Sequence, residues 1–190
     1  MTTTVKLPDP IPMVTSLTQA LGKRRSHREF SAKLLSPDLL STLLWSVAGI
    51  SSETGLRTVP SAMDCREIVV FVFDQQGVWF YDAPNTSLIQ TAEGDKRSET
   101  TLGQFFVAKA PVTLLFAADT TRCEKINETR LERCLCVDTG CMTMAGQLAA
   151  TALGLASVPR ASFDPARLTP LLGSDGRFTP IMALTVGYPA

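Results

Sequence analysis

The stretch DTGCMTMAGQLAATALGLASVPRASFD, residues 138–164, decides how the rest of the chain must be arranged. Small residues recur along it, good helix formers separate them, and no proline occurs before Pro159. Together with the charged residues ETRLER before it, the pattern predicts a helix over about residues 127–153 that is buried nearly all round. Polar residues such as Asp138, Thr143 and Gln147 interrupt the apolar runs, which fall short of the roughly 20 residues of a membrane span. We therefore expect a core or interface helix.

The overall composition predicts one globular domain over residues 1–190. The 18 basic and 18 acidic side chains balance, so neither nucleic acid nor an anionic membrane is favoured as a partner. The first residues, MTTTVKLPDPIP, contain no apolar run of the length of a signal peptide. We expect a cytoplasmic protein without a membrane partner.

The five cysteines favour free thiols, since their number is odd and no secretion signal precedes them. On a helix, Cys134 and Cys141 share a face, whereas Cys136 lies about 200° round from Cys134. One tetrahedral metal ion could not easily bind all three, and the single histidine, His27, is far away in sequence. We expect no metal site, and thiol or metal binding through Cys134 and Cys141 is the weaker alternative.

The hydrophobic pattern outside the long helix predicts an α+β fold in which helices flank a mixed, mostly antiparallel sheet. Residues 112–118 are nearly all apolar, which indicates a central strand buried on both faces. The other predicted strands are 68–73 and 77–81, joined as a hairpin, with 156–158 and 180–186. The other predicted helices are 13–21, 37–49, 101–108 and 165–172. We expect residues 1–12 to be an extended arm and residues 50–63 and 82–101 to be loops.

The standard nucleotide and hydrolase motifs, GxGxxG, GxxxxGK[ST], HExxH and GxSxG, are absent from the sequence. Two segments carry positive signals. The basic cluster KRRSHREF, residues 23–30, fits a phosphate, but on physical grounds alone cations that meet the carbonyl groups of a helix C-terminus are the favoured interpretation. The segment PSAMDCRE, residues 60–67, leads directly into a predicted strand, which is a common place for a ligand site and also an ordinary loop.

Four sequence blocks together resemble the nitroreductase family of FMN enzymes. They are RRSHREF at 24–30, PSAMDCREIVVFV at 60–72, GLASVPRASFD at 154–164 and, more weakly, VGYP at 186–189. They occur in the family's order and cover nearly the whole chain. The resemblance implies an α+β sandwich that forms an intertwined homodimer, with the long helix at the interface and two FMN sites shared between subunits.

The resemblance also implies which residues contact FMN. Arg24 and Arg28 are the main candidates for the phosphate, and backbone groups at Ala161 and Ser162 would face the N5 and O4 edge of the flavin. The full set of implied cofactor-binding residues is Arg24, Arg25, Ser26, His27, Arg28, Ser61, Asp64, Arg66, Ala161 and Ser162. No catalytic side chain is expected, because the cofactor itself carries out the redox chemistry.

The chain departs from the family pattern at two places. Many members have asparagine where this chain has Asp64, and a carboxylate would repel a reduced, anionic flavin unless it is paired or protonated. Members often carry basic residues beyond the VGYP position, whereas this sequence ends at Ala190. Either Arg160 or Arg177 assists the N-terminal arginines, or FMN binding is weak.

The function implied by the resemblance is an FMN-dependent oxidoreductase. It would pass a hydride from NADH or NADPH through FMN N5 to a small-molecule acceptor, a nitroaromatic, a quinone or another flavin, in a ping-pong reaction. Two alternatives are an FMN-dependent dehydrogenase of the azoline-oxidising type and a flavin-binding dimer without turnover. The polar segment 85–104 would be either a lid over the flavin or a solvated loop.

Overall fold

A seven-stranded sheet forms the middle of the computed structural model, which describes residues 3–173 and 176–190. The strands lie in the order β1-β4-β3-β2-β5-β7-β6, and all the strand pairs formed by the described residues are antiparallel. Their bounds are β1 Thr4–Lys6, β2 Ile68–Phe73, β3 Gly77–Asp82, β4 Ser87–Glu93, β5 Val112–Asp119, β6 Ala156–Arg160 and β7 Phe178–Gly187. The fold is the α+β sandwich that the sequence predicts.

Helices cover both faces of this sheet. The α-helices of the described residues are α1 Leu17–Lys23, α2 Pro37–Ala48, α3 Phe106–Lys109, α4 Glu128–Ala152 and α5 Pro165–Leu168. Helices α2 and α4 pack on one face, while α5 and the 3₁₀ turn Thr169–Leu172 pack on the other. Within the two described stretches, no helix combines the length and the apolar character that crossing a membrane requires.

The two central strands alternate between these two cores. In β2, Val70 and Val72 face α2 and α4, whereas Phe71 and Phe73 face α5. Every residue of β2 and of β5 is buried, which confirms the prediction of a central strand without a solvated face. Phe178 packs its ring 5.1 Å from that of Phe71 and closes the α5 side of the sheet.

The helix predicted from the opening stretch is present almost as expected. Helix α4 begins after Asn127, whose side chain accepts a hydrogen bond from the Thr129 backbone, and ends at Ala152. The prediction that it is buried nearly all round is wrong for the single chain. Its buried residues lie on one face, and Val137 and Met144 on the other face are 57% and 46% exposed.

Three other predictions differ from the structure. Residues 82–101 are not simply loop, because β4 spans Ser87–Glu93 and pairs with both β1 and β3. This strand also takes residues 87–93 out of the predicted lid 85–104. The N-terminal arm contributes β1, with residues 1 and 2 outside the described residues, and α1 begins at Leu17 rather than at residue 13 because Ser16 caps it.

Candidate functional site

The predicted phosphate segment lies beside the strand that follows α4. Ser26 forms a parallel bridge with Ser157, and the backbone N–H of His27 donates to the Ser157 carbonyl at 3.0 Å. The Oγ of Ser157 is buried and has no hydrogen-bond partner among the described residues. The first and third sequence blocks of the family pattern are thus brought together within one chain.

The arginines of this segment differ in what they contact. Nη1 of Arg25 donates to the carbonyl groups of Gly22 at 3.1 Å and of Arg24 at 2.7 Å, which is the helix-capping role that the sequence left open. The guanidinium groups of Arg24 and Arg28 form no hydrogen bond or ion pair with the described residues. Arg24 is half-buried and Arg28 is exposed. These two remain free to bind an anion.

Two exposed residues follow the buried arginine at the end of β6. Ala161 and Ser162 are exposed, and the Ser162 carbonyl accepts from the Leu102 N–H at 2.9 Å. The side chain of Arg160 is buried instead, where it donates to the Thr100 carbonyl at 2.6 Å and to Thr185 Oγ1 at 3.0 Å. Burial lowers the pKa of Arg160 to about 10. Its guanidinium ties β6 to the turn at Thr100 and does not reach out toward a phosphate.

The loop before β2 is fixed by hydrogen bonds between side chain and backbone. Ser61 Oγ donates to Glu67 Oε2 at 2.9 Å and accepts from the Arg66 N–H at 2.8 Å. The N–H of Ala62 donates to Asp138 Oδ2 on α4 at 2.6 Å. The loop is therefore anchored both to β2 and to the long helix.

The same loop stores backbone strain. Met63, Asp64 and Arg66 have φ values of 53°, 52° and 54°, in the left-handed region that residues with a Cβ rarely adopt. Such residues cost of order 1–3 kcal/mol each and concentrate at functional sites. The strain supports the choice of this loop as part of a site.

Asp64 is a paired carboxylate. Arg66 Nε lies 2.9 Å from Asp64 Oδ1 and Arg66 Nη2 lies 3.1 Å from Oδ2, a two-bond fork. Hydrogen bonding to Arg66 holds the pKa of Asp64 below its usual value. The carboxylate is therefore ionised at neutral pH, and Arg66 offsets the repulsion that it would exert on an anionic ligand.

Glu67, which the sequence analysis did not single out, is the one fully buried carboxyl in this loop. Burial raises the pKa of Glu67, and the neighbouring Asp138 carboxyl adds to the rise. Its Oε1 has no hydrogen-bond partner among the described residues. The available signal was its position, since it directly precedes the wholly apolar strand IVVFVF.

The two halves of the predicted site lie near opposite ends of the strands in one chain. We call these the two edges of the sheet, the sides on which strands begin and end. At one edge, Ser157 pairs with Val186, which pairs with Val112; at the other, Ile68 pairs with Ala118. Residues 112 to 118 of β5 separate these edges, about 20 Å at ~3.3 Å per residue. Ser26 and the backbone near it therefore do not meet Ser61 and Asp64 of the same chain.

Arg177 lies at the edge far from Ser26. Its Nε donates to Asp119 Oδ1 at 2.9 Å, at the end of β5. It therefore cannot assist Arg24 and Arg28 of the same chain. Both of the arginines considered as additional phosphate ligands, Arg160 and Arg177, are engaged elsewhere.

The cysteines are free thiols, and the described part of the chain contains no group of His, Cys, Asp and Glu side chains that could hold a metal ion. Cys134 and Cys141 lie along the half-buried side of α4, as their spacing predicts, and Cys136 is exposed.

The chain matches the model of the nitroreductase family over residues 21–188. It belongs to the nitroreductase family. The match includes the arginine segment, the strained loop and the α4–β6 stretch, which carry three of the four blocks of the sequence analysis, and residues 186–188 of the fourth. The family is one of oxidoreductases.

Individual relatives agree with this placement of the nitroreductase. It is 32% identical over 168 residues, 84% of each chain, to a protein of Methanocaldococcus jannaschii with a provisional nitroreductase name. A crystal structure with a provisional nitroreductase name from Ralstonia eutropha is 31% identical and superimposes with a TM-score of 0.90, over 98% of this chain and 90% of that one.

A more distant structure shows the shared fold alone. This is a complex with FMN from Desulfovibrio desulfuricans, 22% identical, with a TM-score of 0.66 over 93% of this chain and 87% of that chain. The bound FMN is an observation on that protein and not on this chain.

Proposed function

We propose that this nitroreductase is an FMN-dependent oxidoreductase that works as a homodimer with two shared sites. It would take a hydride from NADH or NADPH and pass it to a small acceptor such as a nitroaromatic or a quinone. When bound, FMN would supply the hydride chemistry at its N5 atom. The residues of the chain bind and orient the reactants, which agrees with the absence of a catalytic side-chain constellation from the sequence motifs.

The observation that carries the proposal is the separation of the two halves of the site. The arginine segment with Ser157 lies toward one edge of the sheet, and the loop with Ser61 and Asp64 lies toward the other, about 20 Å away along β5 at ~3.3 Å per residue. A second copy of the chain could bring its loop to the arginine segment of the first. Two equivalent sites would then form, as the two-fold symmetry of a dimer requires.

The surface of α4 supports a second copy as the partner. The buried face of the helix contains polar residues, among them Asp138, Thr143 and Gln147, while the outer face exposes Val137 and Met144. Large apolar side chains that are exposed on a helix are typical of an interface. An apolar groove of about 570 Å³ between α1, α2 and α4 continues this surface.

The residues present fit an FMN phosphate. Arg24 and Arg28 are the arginines of the segment without a partner among the described residues, and a fork of guanidinium donors suits a phosphate dianion. Ser26 lies beside them against Ser157, near the start of β6, and the exposed residues Ala161 and Ser162 follow the end of this strand. On the partner's loop, Arg66 would neutralise the charge of Asp64. The pair would then lie near the flavin ring without a net charge.

Purified protein tests the proposal. We expect a yellow dimer, seen by absorbance and by light scattering after size-exclusion chromatography, whose flavin band is bleached by NADH or NADPH without oxygen. A colourless protein that takes up no added FMN would contradict the proposal. A yellow dimer that neither nicotinamide cofactor bleaches would favour the flavin-binding dimer without turnover.

A further inference from the structure

Three arginines line a cavity that shares one residue, Arg66, with the implied flavin contacts. Arg57, Arg66 and Arg122 surround about 200 Å³ together with Tyr81, Asp82 and Pro84. Because neighbouring antiparallel strands run in opposite directions, the start of β2, the end of β3 and the end of β5 meet at this edge of the sheet. The cavity is therefore built by three strand ends, each of which brings a charged side chain.

The three guanidinium groups have unequal partners. Arg66 is bound to Asp64 through two hydrogen bonds. Arg122 Nε lies 2.8 Å from Asp119 Oδ2, and that carboxylate is shared with Arg177. Arg57 forms no hydrogen bond or ion pair with any of residues 3–173 and 176–190.

Arg57 is the arginine of this group without a hydrogen-bond partner among the described residues. Its Nε is buried without a hydrogen-bond partner among the described residues, which is uncommon for a buried polar atom. Burial lowers the pKa of Arg57, and the charges of Arg122 and Arg66 lower it further. An arginine nevertheless stays protonated at neutral pH. The chain thus maintains a desolvated positive charge next to two others.

The negative groups at the cavity do not neutralise it. Asp82 lines the cavity, but its Oδ2 accepts from Asn85 Nδ2 at 2.7 Å, and it forms no ion pair with Arg57 among the described residues. Burial raises the pKa of Tyr81 to about 12, so that its hydroxyl remains a neutral group that can donate a hydrogen bond. The rest of the lining is mostly apolar, so the three guanidinium groups and the Tyr81 hydroxyl are the groups that favour an anionic ligand.

We propose that the cavity between Arg57, Arg66 and Arg122 binds a small oxyanion, the phosphate or carboxylate group of a small molecule, separately from the flavin. The volume of about 200 Å³ lies below the roughly 300 Å³ at which pockets for whole drug-sized ligands begin. It can hold an anionic group but not a nucleotide. Arg57 would donate from its free Nε, and the unused donors of Arg66 and Arg122 would complete the site.

The test uses Arg57→Gln, because this substitution removes the charge without removing any interaction within the described chain. Thermal unfolding of the wild type and the variant is followed while inorganic phosphate replaces chloride at constant ionic strength. We expect phosphate to raise the Tm of the wild type. In the variant we expect a Tm without phosphate that is equal or higher, since the repulsion is relieved, and a smaller increase with phosphate than in the wild type.

Calorimetric titration gives the affinity directly. Loss of a charged hydrogen bond at Arg57 is expected to weaken phosphate binding by about tenfold or more. Arg57→Lys, which keeps a charge at a fixed point but loses the fork, should retain part of the binding. The matched control is Arg130→Gln, which removes one exposed arginine from the first turn of α4 and should leave phosphate binding unchanged.

The opposite result has a distinct signature. If Arg57 is a structural charge paired with a carboxylate of a second copy, Arg57→Gln lowers the Tm and phosphate shifts neither protein. That outcome would overturn the proposal. Acetate in place of phosphate reports whether the site also accepts a carboxylate.

Two sources of phosphate can be separated by comparing NADPH with NADH, a comparison that rests on the proposed function. If Arg57→Gln raises KM for NADPH alone, the site holds the 2′-phosphate of the dinucleotide; if both KM values stay unchanged while phosphate binding is lost, the site serves a separate anion. The phosphate titration itself does not require flavin or turnover. Its failure is therefore distinguishable from failure of the proposed function.

Discussion

The hydroxyl of Ser61 donates a hydrogen bond to the buried carboxyl of Glu67, with 2.9 Å between Oγ and Oε2. Asp138 of α4 lies beside that carboxyl and accepts from the N–H of Ala62 at 2.6 Å. Two acidic side chains from distant parts of the sequence thus hold the strained loop. Because two neighbouring carboxylates repel, burial and Asp138 raise the pKa of Glu67 and favour its protonated form in the folded chain.

The first prediction is that Glu67→Gln reduces the loss of stability at high pH. The pKa of Glu67 is raised in the folded chain by burial and by Asp138, so the folded state binds a proton that the unfolded state releases above about pH 4.5. The stabilising effect of this proton is present below that pH and is lost as the pH rises through the folded-state pKa. Glutamine, which is neutral at every pH, removes this dependence.

Urea unfolding at about pH 5 and about pH 8 measures the effect. The variant should resemble the wild type at the lower pH and be the more stable protein at the higher pH. Glu93→Gln, at an exposed position at the end of β4, is the control and should leave the pH dependence as it is. If the free energy of unfolding changes with pH to the same extent in the wild type and in Glu67→Gln, then Glu67 is already ionised in the folded protein.

The second prediction concerns the phosphate. Arg24→Ala should weaken FMN binding by about 1.5–3 kcal/mol, the range for a hydrogen bond to a charged group. Its guanidinium has no partner among the described residues, so nothing in the chain compensates for its loss. The affinity is measured by titrating the flavin-free protein with FMN and following the flavin fluorescence.

Arg25→Ala is a matched control for this prediction. It removes the same charge from the adjacent position, but the Arg25 side chain already contacts the carbonyl groups of Gly22 and Arg24. We expect a smaller loss of FMN affinity and a small loss of stability. An equal loss in the two variants would indicate a general electrostatic effect and not a specific contact of Arg24.

The central strands of the fold were predictable from the sequence because their segments are almost entirely hydrophobic. Residues 112–118 and 68–73 have almost no polar side chains, and both proved to be central strands. Strand β4 was missed because Gln90, Thr91 and Glu93 make its segment polar, and it owes its place to pairing with β3 on one side and the N-terminal arm on the other. Such pairing is a tertiary effect that local sequence does not encode.

The individual site segments were also predictable, but not their relation to each other. The resemblance grouped Ser26 with Ser61, and only the strand register shows that they lie toward opposite edges of the sheet in one chain. Glu67 and Arg57 were missed for a related reason. Each reads as an ordinary loop residue until burial and the positions of Asp138 and Arg122 are known.

The third prediction tests the close contact of α4 with the sheet. A Cβ at Gly146 would lie 2.7 Å from Leu184 Cδ2 and 2.8 Å from Val47 Cγ1, two fully buried side chains. Gly146→Ala should therefore destabilise the fold by about 1 kcal/mol or more, because overpacking exceeds the gain in helix propensity. Gly22→Ala in α1, where the new Cβ has open space, should stabilise it by up to about 1 kcal/mol.

Chemical denaturation of both variants gives the two free energies of unfolding. The opposite signs are the informative result, since both substitutions add one methyl group to a helical glycine. If Gly146→Ala is also stabilising, Leu184 and Val47 can move apart at little cost, and the helix is less closely packed on β7 than its geometry indicates.

The fourth prediction returns to the outer face of α4. Val137 is 57% exposed in the single chain, so Val137→Glu should leave the fold of one chain intact. If a second copy covers this face, the new carboxylate becomes a buried, unpaired charge, which should weaken the dimer by more than about tenfold. Light scattering after size-exclusion chromatography measures the assembly, and the flavin absorbance of the same fractions measures the cofactor.

Loss of the dimer and loss of the flavin should occur together in Val137→Glu. The arginine segment and the strained loop are about 20 Å apart along β5 at ~3.3 Å per residue, so a monomer would retain only half of each site. Leu34→Glu places the same charge at a position 59% exposed but outside α4, and it should remain a yellow dimer. A monomeric Val137→Glu protein that keeps its flavin would show instead that one chain binds FMN alone, and the loop with Ser61 and Asp64 would then have no part in cofactor binding.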